Sequence, residues 1–142
     1  MSEALSRILA IDFGSVRIGL AVSDPMKIIA TGLRTIPNNA RSIDEILTVI
    51  TEYGISEIIV GNPLLLSGKE SKTSVDVNAF VRLLSDRTSI PIALIDERFT
   101  SVMAQKTMMS MGVKKKQRQN KARIDEIASA ILLQGYLDSR SR

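Results

Sequence analysis

Three strand-like apolar runs crowd into the first 36 residues, and from residue 42 the pattern becomes alternating helix and strand. Residues 7–13 read as a buried strand, Gly14-Ser15 as a turn, and residues 17–23 as a second strand. So short a link leaves room only for a hairpin. A third strand is expected within residues 28–36, before Pro37. Ser42 with Glu45 three residues on fits a capping box with Ser42 as the N-cap. Ile43, Ile46, Leu47, Ile50 and Tyr53 then follow at helical spacing and Gly54 supplies a stop. Residues 57–61 are a short buried strand, 62–72 a polar loop, and Val77, Phe80, Val81 and Leu84 mark a second helix. Residues 91–97 form a fifth strand and residues 101–111 a third helix that stops at Gly112. A last helix carries Ile124, Ile127, Ala128, Ile131, Leu132 and Gly135 on one stripe. Helical crossovers make the later strands parallel to the first, so the expectation is an α/β fold with a mixed five-stranded sheet. Three antiparallel strands come first, then two parallel crossover strands, with helices flanking the sheet.

At 142 residues the chain fits one domain, 1–142, with its core at about 7–138. No apolar run reaches the ~18 residues of a membrane helix, so no membrane partner is expected. Residues 1–7 lack the apolar centre of a signal peptide, and there is no cysteine, which together predict a cytoplasmic location. The chain also has no histidine. Ser-His-Asp and Cys-His mechanisms are therefore impossible. Zinc, which favours nitrogen and sulfur ligands, is a poor candidate. Chemistry must run on oxygen ligands, which prefer hard cations and point to Mg²⁺ or Mn²⁺. The net charge of +4 is concentrated in one place. Residues 114–123 hold Lys114, Lys115, Lys116, Arg118, Lys121 and Arg123 with no acid, and the remainder carries 13 basic and 15 acidic residues. Such a segment suits a polyanion, or else a solvated loop.

Three carboxylates stand out. Asp12 ends the run Ile8-Leu9-Ala10-Ile11. A buried, unpaired carboxylate there costs several kcal/mol by desolvation, roughly, unless a cation or turn amides at Gly14 and Ser15 satisfy it. Asp96-Glu97-Arg98 ends another strand. Alternation sends Asp96 and Glu97 to opposite faces, so one of them shares a face with Asp12, and the pattern does not say which. On a wheel of about 100° per residue with Ile124 at zero, the last stripe centres near 20°. Asp125 then lies about 80° from that centre and Glu126 about 180°, so Asp125 is expected to border the buried face and Glu126 to face water. Clustered carboxylates repel unless a cation holds them. Held together, they can bind a divalent ion, activate water and support an in-line phosphodiester displacement.

On these residues the chain resembles the YqgF (RuvX-like) family of the RNase H-like superfamily. The matching motifs are Ile11-Asp12-Phe13-Gly14, Arg17-Ile18-Gly19-Leu20-Ala21-Val22-Ser23-Asp24, Gly61-Asn62-Pro63-Leu64 with Ser67-Gly68, Asp96-Glu97-Arg98-Phe99-Thr100 and Arg123-Ile124-Asp125-Glu126-Ile127-Ala128. Asn62 and Phe99 depart from the usual apolar and aliphatic residues and bear on loop packing or substrate contacts. The resemblance implies Asp12, Glu97 and Asp125 as catalytic and metal-holding acids, resolving the strand-end choice towards Glu97. It implies a nuclease trimming the 5′ end of pre-16S rRNA, or a Holliday junction resolvase. Partners would be structured RNA or branched DNA, and pre-ribosomal particles. Arg17, just past the first turn, reads equally as a strand-opening surface residue and as a phosphate contact. With the six basic residues of 114–123 it forms the expected nucleic-acid contacts. The chain would act as a monomer or homodimer, and junction cleavage calls for a symmetric dimer because two equivalent strands are cut. Two other readings remain. Asp12-Phe13-Gly14-Ser15 also resembles the phosphate loop of actin-like ATPases and sugar kinases, whose second lobe this length cannot supply. A ribosome-assembly factor with weak catalysis would need the same basic surface.

Overall fold

The computed structural model describes residues 6–62, 72–96 and 121–140. Its elements are β1 (Arg7–Phe13), β2 (Arg17–Ser23), β3 (Ala30–Pro37), α1 (Ser42–Tyr53), β4 (Ile55–Asn62), α2 (Lys72–Ser85), β5 (Ile92–Asp96) and α3 (Lys121–Arg140). The strands form one sheet in the order β3-β2-β1-β4-β5. β1 pairs antiparallel with β2, and β2 antiparallel with β3. β1 pairs parallel with β4, and β4 parallel with β5. The connection lengths explain this: a three-residue turn can only reverse the chain, whereas α1 and α2 return it for parallel pairing. The expected helix at 101–111 lies outside the described residues.

β1 occupies the middle of the sheet with helices on both sides, which is why its sequence is a continuous apolar run. Leu9, Ile11 and Phe13, with Ile18, Leu20, Ile58 and Val60 beside them, face Ile46 and Val49 of α1 and Val77, Phe80 and Leu84 of α2. The Phe13 and Phe80 rings meet at 5.0 Å. Ile8 and Ala10, with Ala21 and Ile59, face Leu132, Leu133 and Leu137 of α3. β3 is an edge strand, so Pro37 at its end deprives no inner strand of a hydrogen bond.

Two local expectations are corrected. Ser42 does not cap α1. The N-cap is Arg41, and no side chain caps the helix. The buried Ser42 hydroxyl instead accepts from the Asn39 amide at 2.8 Å and faces the Pro37 and Asn39 carbonyls at 2.8 and 2.9 Å. The competing turn ahead of the helix takes the hydroxyl that the capping box would use. The stop behaves as expected: Gly54 is left-handed at φ 66°, and its N–H donates to the Ile50 carbonyl.

The buried face of α3 also differs from the expected stripe. Among its described side chains the buried ones are Ser129, Leu132, Leu133 and Leu137. Ile127, Ala128 and Ile131 are half-buried and Gly135 is exposed. The buried centre is thus turned by roughly 130° from the sequence stripe, at about 100° per residue. The stripe gave weight to Ala128 and Gly135, which have little apolar area, and none to Ser129, which is wholly buried.

Candidate active site

Residues level with one another on neighbouring strands share a face of the sheet. Thr35 is level with Gly19, Gly19 with Asp12, Asp12 with Gly61, and Gly61 with Ile95. One row therefore crosses all five strands, with Asp12 at its centre and a glycine on either side. Alternation along β1 assigns the face. Ile8 and Ala10 pack against α3, so Asp12 belongs to the α3 side. The four residues before Asp12 are wholly buried, and Asp12, where the strand reaches the sheet end, is half-buried. Its two lateral neighbours contribute no side chain to compete for the space around the carboxylate. Asp12 has an interaction partner.

Arg17 lies on this same side. In β2, Ile18, Leu20 and Val22 join the core under α1 and α2, whereas Ala21 joins the core under α3. The odd positions Arg17 and Gly19 follow Ala21. Arg17 sits two residues from Gly19, or about 7 Å along the strand. The two candidates drawn from the first and second strands thus share one face at one end of the sheet.

The turn between them is tightly built. A Cβ on Gly14 would stand 2.5 Å from the Arg17 carbonyl oxygen. Only a residue without a side chain permits this close approach. Asn38, just past β3, holds the turn from the other side. Its side-chain amide donates to the Gly14 carbonyl at 2.7 Å, and its backbone N–H donates to the Val16 carbonyl at 2.9 Å. Neither Asn38 nor Thr35 was singled out from the sequence. The signal available for Asn38 was the polar turn pair after Pro37, and for Thr35 only the strand register reveals it.

The direction of α3 follows from its anchors. The Tyr136 hydroxyl donates to Glu57, and Arg140 contacts the other Glu57 oxygen at 2.9 Å. That bond, above all, raises the Tyr136 pKa, and burial and the Glu57 charge add to it. Gln134 donates to the Ile28 carbonyl and accepts from the Ala30 amide, both at 2.9 Å. Glu57 is level with Ile8, at the opposite end of β1 from Asp12. The C-terminal half of α3 is therefore fixed at that far end, and the helix runs back towards the Asp12 end. Position 125 precedes Tyr136 by eleven residues, about 16 Å of helix. Asp12 follows Ile8 by four residues, about 13 Å of strand. The first turns of α3, which hold Lys121, Arg123 and Asp125 in sequence, thus begin at the Asp12 end.

β5 supplies a parity. Ile95 packs on the α3 side with the row of Asp12, whereas Ile92 packs on the opposite side. Asp96 is level with Asn62 and alternates with Ile95. Glu97, Lys114, Lys115, Lys116 and Arg118 lie outside the described residues, as does the loop 63–71. Among the described residues, no three acids form a group able to hold a metal. The donor at the centre of the row is a carboxylate, and a sequence without histidine or cysteine leaves only oxygen donors. That set fits a hard divalent cation such as Mg²⁺ or Mn²⁺. Among the described residues, no helix is long and apolar enough to cross a membrane.

A family model described as RuvX, Holliday junction resolvase, matches residues 6–139. A Bacteroides fragilis protein named "Putative pre-16S rRNA nuclease" is 44% identical over 137 residues, covering 96% of this chain and 99% of that one. A protein of the same name from Phocaeicola vulgatus is 45% identical over 137 residues, covering 96% and 98%. Another from Roseiflexus is 41% identical over 142 residues, covering 99% of each. Among solved structures, Thermus thermophilus RuvC in complex with Holliday junction substrate is similar, with a TM-score of 0.58, 14% identity and 96% of each chain covered. The Fowlpox virus resolvase, bound to Holliday junction DNA, has a TM-score of 0.57 at 14% identity, covering 96% of this chain and 99% of that one. At such low identity these two likenesses are of fold.

Proposed function

This chain belongs to the RuvX family, and we propose that it is the nuclease of pre-16S rRNA 5′ ends that its 41–45% identical relatives are named for. It is a hydrolase acting on nucleic-acid ester bonds, carried on an RNase H-like fold. The observation that carries the reading is the row centred on Asp12, with Arg17 on the same face and the start of α3 directed to the same end.

In this reading Asp12, Glu97 and Asp125 are the catalytic acids and would hold a Mg²⁺ or Mn²⁺ ion. When bound, the ion supplies an activated water and stabilises charge in an in-line phosphodiester displacement. The remaining work belongs to the protein. Asp12 stands at the end of a strand that the core fixes on both sides, so its carboxylate is oriented before substrate arrives. The parity of β5 supports Glu97 over Asp96 as the second acid. The direction of α3 supports a third acid from its first turns, and the family motif supports Asp125 over Glu126. Arg17 is the phosphate contact nearest the acids. Lys114, Lys115, Lys116, Arg118, Lys121 and Arg123 grip the backbone farther out. The chain has few aromatic side chains, so it reads backbone shape more than bases. The site of action is the cytoplasm, on pre-ribosomal particles.

The test is side-by-side cleavage of a precursor 16S rRNA fragment and a four-way DNA junction, with and without Mn²⁺. Asp12→Asn is the blank. Mn²⁺-dependent trimming of the RNA that Asp12→Asn abolishes is the expected result, and full activity in that variant would sink the assignment. The family description favours a second reading as a Holliday junction resolvase. Symmetric junction cleavage by a dimer in solution, with the RNA untouched, would select it. Binding of the RNA with no Asp12-dependent cleavage of either substrate would select an assembly factor instead.

A further inference from the structure

Asp12 and Arg17 are joined by the turn Gly14–Val16, which closes the β1–β2 pair. Val16 is 65% exposed, and Ser15 is also exposed. Two hydrogen bonds to it come from another part of the chain. Asn38 places two donors on the turn, the side-chain amide on Gly14 at 2.7 Å and the backbone N–H on Val16 at 2.9 Å. Asn38 is itself held from behind. Its neighbour Asn39 donates its amide to the Ser42 hydroxyl at 2.8 Å, and the Asn39 side-chain oxygen accepts from the Arg41 amide at 2.8 Å. Ser42 is buried at the start of α1, and Ile46 and Val49 of that helix lie in the core. A chain of hydrogen bonds therefore runs from the core-packed helix through residues 37–42 to the two carbonyls of the turn.

We propose that Asn38 is a positioning residue, whose side-chain amide transmits the rigidity of α1 to the Gly14–Val16 turn and so fixes Asp12 relative to Arg17. This rests on reading Asp12 as a catalytic acid. Asn38 touches neither the reacting bond nor the ion. Its backbone donor survives any substitution except proline, so the side-chain bond to Gly14 is the separable part. Losing it frees the Gly14 carbonyl and lets the turn drift, and misplacement of a reacting group by about 1 Å can cost as much as about 100-fold in rate. Ground-state binding relies mainly on the basic residues elsewhere, so the loss falls on the chemical step.

Asn38→Asp tests this because it keeps the size and removes the donor. Asn38→Ser serves as the neutral second variant if the aspartate fails to fold. Cleavage is measured well below the unfolding temperature, with Asp12→Asn as the blank, and amide hydrogen exchange is followed by mass spectrometry. Exchange should quicken at least tenfold, roughly, in the segment 13–19 and stay unchanged in α1 and α3. kcat should fall about tenfold, with KM altered less than about threefold. Unchanged kcat, or faster exchange spread evenly through the core, would overturn the assignment by reducing Asn38 to ordinary scaffolding. If the wild type shows no Asp12-dependent cleavage, the nuclease reading has failed separately. The exchange result then decides the clamp alone, and unaltered protection of residues 13–19 refutes it.

Discussion

Replacing Gly14 by alanine adds a single methyl group at the tightest point beside the proposed site. The backbone there is not at positive φ, since Gly54 is the positive-φ glycine among the described residues. Alanine can therefore adopt the local conformation, and what excludes it is space. The new Cβ would stand 2.5 Å from the Arg17 carbonyl oxygen, where ordinary contact begins at 3.4 Å. The turn must open by about 0.9 Å to relieve this. The obstacle is backbone inside the hairpin ladder and cannot swing aside like a flexible side chain. Forced displacement of this kind costs about 1–3 kcal/mol. With a urea slope of about 2 kcal/mol per molar, the midpoint should fall by about 0.5–1.5 M. Because the displaced atoms lie between Asp12 and Arg17, activity should fall further than stability predicts, by about 10- to 100-fold at a temperature where the variant is fully folded. Urea denaturation followed by circular dichroism, beside Mn²⁺-dependent cleavage, separates the two effects. Ser15→Ala, one residue on at an exposed position, is the control and should change neither. Gly14→Ala with wild-type midpoint and rate would refute the claim that this contact sets the geometry of the turn.

Leu133→Ala removes a wholly buried side chain from the α3 core and should cost about 2–5 kcal/mol in urea unfolding; a loss under about 1 kcal/mol would mean that α3 does not pack as described. Tyr136→Phe deletes the bond to Glu57 while leaving Arg140 in place, and should cost about 1 kcal/mol. Asp24 accepts from the Met26, Ile28 and Ile29 amides, and the Ile29 bond first among them holds its pKa below the ordinary aspartate value. A carboxylate with a lowered folded pKa stabilises above its unfolded pKa, and that contribution is lost as pH falls through the folded value. Acidification below the usual aspartate range should therefore loosen the β2–β3 hairpin tip, and the Met26, Ile28 and Ile29 amide resonances should titrate together; a midpoint at or above 3.8 would contradict this.

The parts of the fold that the sequence revealed are those where one interaction dominates. β1 is buried on both faces, so its apolar run left no other assignment. Gly54 is demanded by a left-handed stop. The short Gly14 turn forces an antiparallel pair whatever else happens. Legibility failed where two weak signals competed. Ser42 followed by Glu45 looks like a cap, but the turn at 37–39 offered the hydroxyl nearer partners, and no pattern within the helix could report them. α3 misled because small residues count as apolar in a periodicity while burying little, and because Ser129 is polar and yet wholly enclosed.

The site depended on register, which a one-dimensional reading does not contain. That Asp12 and Arg17 share a face requires Asp12 to sit opposite Gly19. A slip of one residue in the hairpin would send Arg17 to the other side of the sheet. The face that Ile95 takes is likewise visible only in its packing with α3. For α3 the informative feature is direction. Glu57 holds Tyr136 and Arg140 at one end of β1, so α3 must begin near the other. The placing of Asp12 and the direction of α3 are thus consequences of strand register and helix anchoring, both set by residues far from the sheet end.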